Sequence, residues 1–275
     1  MTSRVLFRAE RLSAEAAGVR PVLGFDTGAP QASLALFVSG RIVTLPSRPA
    51  TSHGSALPAA VAELLDKAKL SLTDVGGIAV GLGPGSFTGL RVGLSYAKGI
   101  AMATRCAIFG VSTLDSIALG AVECADAAGR PGTLVCPVMD ARKGEVYTAL
   151  YGIVADGLEK LSDDLVMPLA RLGSHLTASV LVVGDSKADE AASLLKAKGL
   201  EVAILDRETL DTRGRLIAMI GAARLARGDT DRAESLEPLY VRPPETGTGF
   251  PARLSAAASQ EGLWSAERKN SFGSI

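Results

Sequence analysis

Pro21–Phe37 reads PVLGFDTGAPQASLALF, and Thr133–Tyr151 reads TLVCPVMDARKGEVYTALY. In both, an apolar run delivers an aspartate, Asp26 or Asp140, to a turn that contains glycine. An apolar run then returns. Setting Asp26 over Asp140 puts Ala35-Leu36-Phe37 over Ala149-Leu150-Tyr151 without a gap. Two readings follow: two unrelated hairpins, or an internal duplication of one α/β unit.

The flanking sequence favours strands alternating with helices. RIVTLP, after the Ser39-Gly40 turn, reads as a third strand. Leu57, Val61, Leu64, Leu65 and Ala68 recur at helical spacing between Ser55 and Lys69. GGIAVG is a short buried strand, a helix follows from about Thr88 to Thr104, and AIFGV is a strand. Ser112–Asp115 (STLD) has the form of a capping box that opens another helix. Beyond the second hairpin come a strand at VLVVGD, a helix near 187–199, a strand at EVAIL and a helix near 213–227. Such alternation implies a mainly parallel sheet covered on both faces. The expected divisions are an N-terminal extension at 1–20, one α/β unit at 21–112, a second at 113–246, and a loosely held tail at 247–275. The extension carries arginine but no apolar core of the secretory kind.

Composition narrows the function. The chain has 275 residues, 47% of them hydrophobic, with a mean hydropathy of +0.26. Its 29 Lys and Arg balance 29 Asp and Glu. A protein that grips nucleic acid alone needs a surplus of cations, so this balance argues against independent RNA binding. The three cysteines, Cys106, Cys124 and Cys136, show no CxxC spacing and sit in apolar runs. They read as reduced core residues of a cytoplasmic protein. No stretch resembles a membrane span.

Gly81–Ala101, GLGPGSFTGLRVGLSYAKGIA, carries six glycines into a helix. A glycine-rich turn before a helix suggests a phosphate cradle. The Walker pattern fails because Leu90 follows Gly89 where lysine is required, and GxGxxG fails in both registers. Ser86 and Thr88 remain at the helix start, with Thr88 a candidate N-cap. Gly89, Gly93, Ala97 and Ala101 recur four apart on one face. Glycine inside a helix costs up to about 1 kcal/mol against alanine, so the row calls for close packing. That face either packs on the chain's own sheet or meets a helix of another subunit. On the second reading the partner-facing set is Gly89, Arg91, Gly93, Tyr96, Ala97, Ile100 and Ala101. No metal or nucleophile constellation emerges: His53 and His175 are isolated, and Ser86 has no obvious histidine partner.

PVLGFDTGAPQASLALF, the glycine-rich stretch, GVSTLDSIA, DARKGEVYTALY and PLYVRPPE together resemble the TsaB (YeaZ) family of bacterial tRNA threonylcarbamoyladenosine biosynthesis proteins. The resemblance runs from about residue 21 to 245. It implies two tandem ribonuclease-H-like subdomains of the actin-like ATPase fold, shared with sugar kinases and heat-shock chaperones. It implies a vestigial nucleotide cleft, with Asp26, Thr27 and Gly28 in the first phosphate loop and Asp140 in the second. It implies no catalytic residue and no metal of the chain's own; the catalytic relative TsaD carries an HxxxH motif that this sequence lacks. The function it implies is a non-catalytic, non-proteolytic subunit that binds and activates TsaD and recruits TsaE. The assembly places threonylcarbamoyl on N6 of adenosine 37 in ANN-decoding tRNAs. ATP and magnesium would act in the complex rather than on this chain, tRNA would be met only through the complex, and a homodimer would form where TsaD is absent. The alternative is a stand-alone small-molecule kinase or ATPase that uses Asp26 and Asp140 around Mg-ATP.

Overall fold

The computed structural model describes residues 5–7, 12, 16, 18–29, 31–46, 48–49, 53–124, 132–155, 157–174, 176, 179–205 and 213–241. The 247–275 tail lies outside them. The architecture is the mixed α/β one expected from the sequence. Its strands form two sheets.

The first sheet is built on β2 (Val22–Asp26), which pairs antiparallel with β3 (Gln31–Val38) and parallel with β6 (Gly77–Gly81). β4 (Arg41–Thr44) and β5 (Arg48–Pro49) add to β3, and β7 (Ala107–Val111) lies parallel to β6. All five residues of β2 are buried, as a central strand covered on both faces requires. Leu23 and Phe25 point to α1 (His53–Lys67) and α2 (Phe87–Thr104). On the other face a Cβ at Gly24 would overlap Ala218, so glycine lets α5 (Arg213–Ala226) lie directly on the strand.

The second sheet repeats the plan. β8 (Leu134–Asp140) pairs antiparallel with β9 (Glu145–Thr148) and β10 (Tyr151–Val154), and parallel with β13 (Val180–Gly184). β14 (Val202–Leu205) extends it in parallel, while β11 (Gly157–Lys160) and β12 (Leu165–Pro168) extend it antiparallel. α3 (Thr113–Cys124) covers one face and α4 (Lys187–Ala197) the other. The shared order of antiparallel hairpin, aspartate strand and two parallel strands favours duplication over two unrelated hairpins. The repeats differ by one residue in register. Asp26 faces Ser33, whereas Asp140 faces Val146, so the gapless superposition at Tyr151 is one position out.

Two elements cross the sequence division at 112/113. α5 follows the second sheet in sequence but packs on the first, with Phe37, Ala79 and Phe109. β1 (Val5–Phe7), from the N-terminal segment, pairs antiparallel with β11 of the second sheet. Leu12 and Ala16 of that segment are buried in the α5 core, so it does not behave as a loose extension there. α3 and α5 meet between the sheets, where Arg215 pairs with Glu123.

The small-residue row of α2 faces inward. Gly89, Gly93, Ala97, Ile100 and Ala101 are buried in the first lobe, and a Cβ at Gly93 would fall on the Thr27 hydroxyl. These five are therefore core residues and not a partner face; α2 has to approach β2 closely enough for Thr27 Oγ1 to donate to the Gly89 carbonyl at 2.7 Å. The helix is capped by Ser86, whose Oγ accepts from Gly89 N at 3.4 Å, and not by Thr88, which lies inside the first turn. Gly93→Leu is expected to lower unfolding stability by about 1–3 kcal/mol or more through overpacking. Urea denaturation checks this; a fully stable variant would put that face of α2 elsewhere.

Candidate functional site

The first aspartate turn is sealed. Asp26 and Thr27 are fully buried. Asp26 Oδ1 accepts from Gly28 N at 2.8 Å, and Oδ2 accepts from Thr113 Oγ1 at 2.6 Å. The glycine-rich loop sits on top of the turn. Ser86 N donates to the Gly28 carbonyl at 2.6 Å, and a Cβ at Gly85 would lie 2.5 Å from that same oxygen. The loop's other groups also serve the protein: Leu82 N donates to Val111 O, and Gly83 O accepts from Thr113 N, each at 2.8 Å. Ala29, one residue on, packs into the core of the second lobe. Asp26, Thr27 and Gly28, the residues expected at the first phosphate loop, fasten β2, α2 and α3 together.

The second aspartate is exposed and does a different job. Asp140 Oδ1 accepts from Arg142 N at 2.8 Å, and Asp140 N donates to Asp185 Oδ2 at 2.7 Å. Asp185 Oδ1 in turn accepts from Lys187 N, at the start of α4, at 3.0 Å. The turn holds Arg142 (φ 64°), Lys143 (φ 53°) and Gly144 (φ 76°) in left-handed conformations. This costs about 1–2 kcal/mol at each non-glycine residue. The Asp140 carboxylate helps to close that turn.

Between the lobes runs a polar link that the sequence did not reveal. Ser112 Oγ donates to Asp164 Oδ2 at 2.7 Å and accepts from Asp115 N at 3.4 Å. Lys160 Nζ lies 2.7 Å from Asp115 Oδ1 and 2.6 Å from Asp164 Oδ1, and the Tyr151 hydroxyl donates to Asp115 Oδ1 at 2.8 Å. Burial alone would lower the Lys160 pKa, but the two carboxylates outweigh it and hold the ammonium above the ordinary lysine value. Ser112 is thus gripped from the second lobe and Thr113 from the first. Only the STLD spacing hinted at this; it located the helix start but not its ties.

The surface carries the remaining cluster. Phe87 is 42% exposed and Met102 76%, and both lie on the outward side of α2 with Arg91. The Arg91 guanidinium carbon stands 3.9 Å from the Phe87 ring centre, and Nε donates to the Tyr240 hydroxyl at 2.9 Å. Of the expected partner-facing residues, Arg91 is exposed, whereas Tyr96 is partly buried with its ring centre 6.2 Å from that of Phe25. Phe87 and Met102 went unremarked because single exposed hydrophobics carry no periodic signal.

The two described thiols, Cys106 and Cys136, are not activated. Cys136 is buried, and burial pushes its pKa up to about 11; burial also raises that of Cys106. The side chains of Cys124, His53 and His175 lie outside the described residues. Among the described residues no group of three or more His, Cys, Asp or Glu side chains is placed to hold a metal, and no helix is long and apolar enough to cross a membrane.

Comparison with known proteins gives the relationship. A TsaB protein of Escherichia coli (strain K12), described as a tRNA threonylcarbamoyladenosine biosynthesis protein, is 30% identical over 225 residues, covering 80% of this chain and 94% of the relative. The chain belongs to the TsaB family. The crystallised YeaZ of Pseudomonas aeruginosa has the same fold, with a TM-score of 0.63 and 26% identity over 81% of this chain and all of that one. Residues 43–201 match the family model for TsaD, tRNA N6-adenosine threonylcarbamoyltransferase. One such transferase, from Gluconobacter oxydans, is 46% identical over 72 residues, 26% of this chain and 20% of that one. Both α1 and α2 of this TsaB-family chain fall within the stretch matched to the transferase family.

The described C-terminal segment of this TsaB-family chain is held by charge. Arg224 binds Asp229 at 2.8 Å and Asp231 at 3.0 Å, and Asp231 Oδ2 accepts from Gly110 N at 2.7 Å. Burial acts to raise the Asp231 pKa, but Arg224 and the Gly110 amide outweigh it and hold the carboxyl below the ordinary aspartate value. The stabilisation is present above the unfolded pKa of about 3.9 and is lost as pH falls through the depressed folded value. Asp231→Asn is expected to cost about 1–2 kcal/mol at neutral pH, with the difference from wild type shrinking below about pH 3.9. Urea melts across pH check it; a difference that grows on acidification would contradict it.

Proposed function

We propose that this chain is a non-catalytic subunit of the machinery that makes threonylcarbamoyladenosine on tRNA, where it binds and activates TsaD and helps TsaE to join. The names of its relatives support the pathway. The buried Asp26 turn supports a non-catalytic role, because its carboxylate accepts from Gly28 N and Thr113 Oγ1 and its Gly28 carbonyl accepts from Ser86 N. On this reading ATP and magnesium act in the assembled complex, and tRNA is met only there, in keeping with a formal charge of zero.

The observation that carries the reading is the exposed face of α2, with Phe87 at 42%, Met102 at 76% and Arg91 between them. Aromatic, methionine and arginine side chains are enriched at the centres of interfaces. The transferase family shares the α1–α2 stretch, so a partner with a like helix pair suits pseudo-symmetric packing, and a second copy of this chain would use the same face when TsaD is absent. The partner contact thus moves from the buried small-residue row to the opposite side of the same helix. Binding activates TsaD if its competent conformation is the one that this face prefers.

Purified chain mixed with TsaD is expected to co-elute with it and to restore threonylcarbamoyladenosine, read by nucleoside analysis of tRNA with the other components present. Met102→Asp is expected to weaken capture by at least about tenfold, equivalent to ~1.4 kcal/mol, without changing the melting temperature. Absence of a wild-type complex, or unchanged capture by Met102→Asp, would count against the interface. Mg-ATP hydrolysis by the chain alone that disappears in Asp26→Ala would favour the kinase or ATPase reading instead.

A further inference from the structure

Residues 229–241 leave α5 and run back over the first lobe as a strap. Asp231 N donates to Ile108 O at 3.0 Å, and Asp231 Oδ2 accepts from Gly110 N at 2.7 Å, so the strap occupies the outer side of β7. Further on, Leu239 N donates to Leu82 O at 2.8 Å, which ties the strap to the glycine-rich loop just before α2. One residue later stands Tyr240. Its ring centre is 5.2 Å from that of Phe87, and its hydroxyl accepts from Arg91 Nε at 2.9 Å. Arg91 is therefore held from two sides, by the Phe87 ring beneath its guanidinium and by the Tyr240 hydroxyl.

An exposed arginine carries large rotamer entropy, and a partner that uses a free one must supply the ordering. Arg91 meets a partner already ordered. With Nε engaged by Tyr240, the N–H groups of its two Nη nitrogens are those left for an incoming acceptor, in the fork that matches a carboxylate. The strap lies outside residues 43–201, the stretch matched to the transferase family.

We propose that the strap is a positioning device for the docking face: Tyr240 holds Arg91 over Phe87 so that the guanidinium meets a carboxylate of the TsaD partner in a fixed pose. The proposal rests on the reading of the α2 face as the TsaD surface. Tyr240 is a positioning residue, and Arg91 is the residue that touches the partner. Pre-organisation of this kind raises affinity by removing an ordering cost rather than by adding a contact.

The test measures the affinity of the full chain for TsaD in wild type, Tyr240→Phe, Arg91→Ala and the double variant. Tyr240→Phe keeps the ring against Phe87 and removes only the acceptor. It is expected to weaken binding about five- to tenfold, corresponding to ~1–1.4 kcal/mol, with an unchanged melting temperature. Arg91→Ala is expected to weaken binding further, and the double variant no more than Arg91→Ala alone, because Tyr240 acts through Arg91. Met102→Asp serves as the control for the surface itself. If Met102→Asp loses affinity while Tyr240→Phe retains it, the strap inference is overturned and the docking reading stands. If the Tyr240→Phe loss persists at full size in the Arg91→Ala background, Tyr240 acts by another route and the inference is again overturned. Failure of the wild-type chain to bind TsaD overturns the docking reading, and this inference with it.

Discussion

The Asp26 carboxylate, with no exposure to solvent, joins three parts of the chain. It accepts from the Gly28 amide of its own turn and from the Thr113 hydroxyl at the start of α3, while the glycine-rich loop is hydrogen-bonded onto the same turn. A hydrogen bond to such a carboxylate contributes about 1.5–3 kcal/mol, so this group constrains the elements that touch it. β2 cannot shift without moving α3, and α3 carries the second lobe. Gly81 has no room for a side chain because the Asp26 carboxylate fills that space. Both carboxylate oxygens accept hydrogen bonds from the chain itself.

The same economy extends along the lobe boundary. Thr113 is tied to the first lobe by Asp26, and the neighbouring Ser112 to the second by Asp164, which Lys160 bridges to Asp115. Two adjacent residues are thus held from opposite sides, one by each lobe. The first lobe also presents an outward face. α2 links the two ideas: its inner face is shaped by Gly89, Gly93 and Ala97 to lie against Thr27 and the sheet, and its outer face carries Phe87, Arg91 and Met102.

Much of the fold was legible in the sequence because the buried strands are apolar runs punctuated by glycine turns. VLGFD, GIAVG and AIFGV emerge as strands, and the helices at 53–67, 87–104 and 213–226 lie within two residues of expectation. Spacing could not show which sheet a helix covers: α5 follows the second sheet in sequence yet packs on the first. It also could not tell which side of α2 faces inward, since a row of small residues suits a sheet beneath it as well as another subunit. The decisive partner of Gly93 is Thr27, distant in sequence. Asp26 was legible as a special residue, but its role depends on Thr113, 87 positions away, and no local pattern announces that pair. Tyr240 was legible only as part of a resemblance, because its meaning lies in Arg91 and Phe87.

A double-mutant cycle on Asp26 and Thr113, read as unfolding free energy in urea, tests the account most directly. Asp26→Asn, Thr113→Val and the double variant isolate the term that joins the carboxylate to the helix start. The account predicts a coupling of about 1.5–3 kcal/mol, the range for a hydrogen bond to a charged group, with neither single variant changing the response of the isolated chain to Mg-ATP. Additive losses, together with Mg-ATP stabilisation of the wild type that Asp26→Asn abolishes, would contradict it and return Asp26 to an open nucleotide cleft.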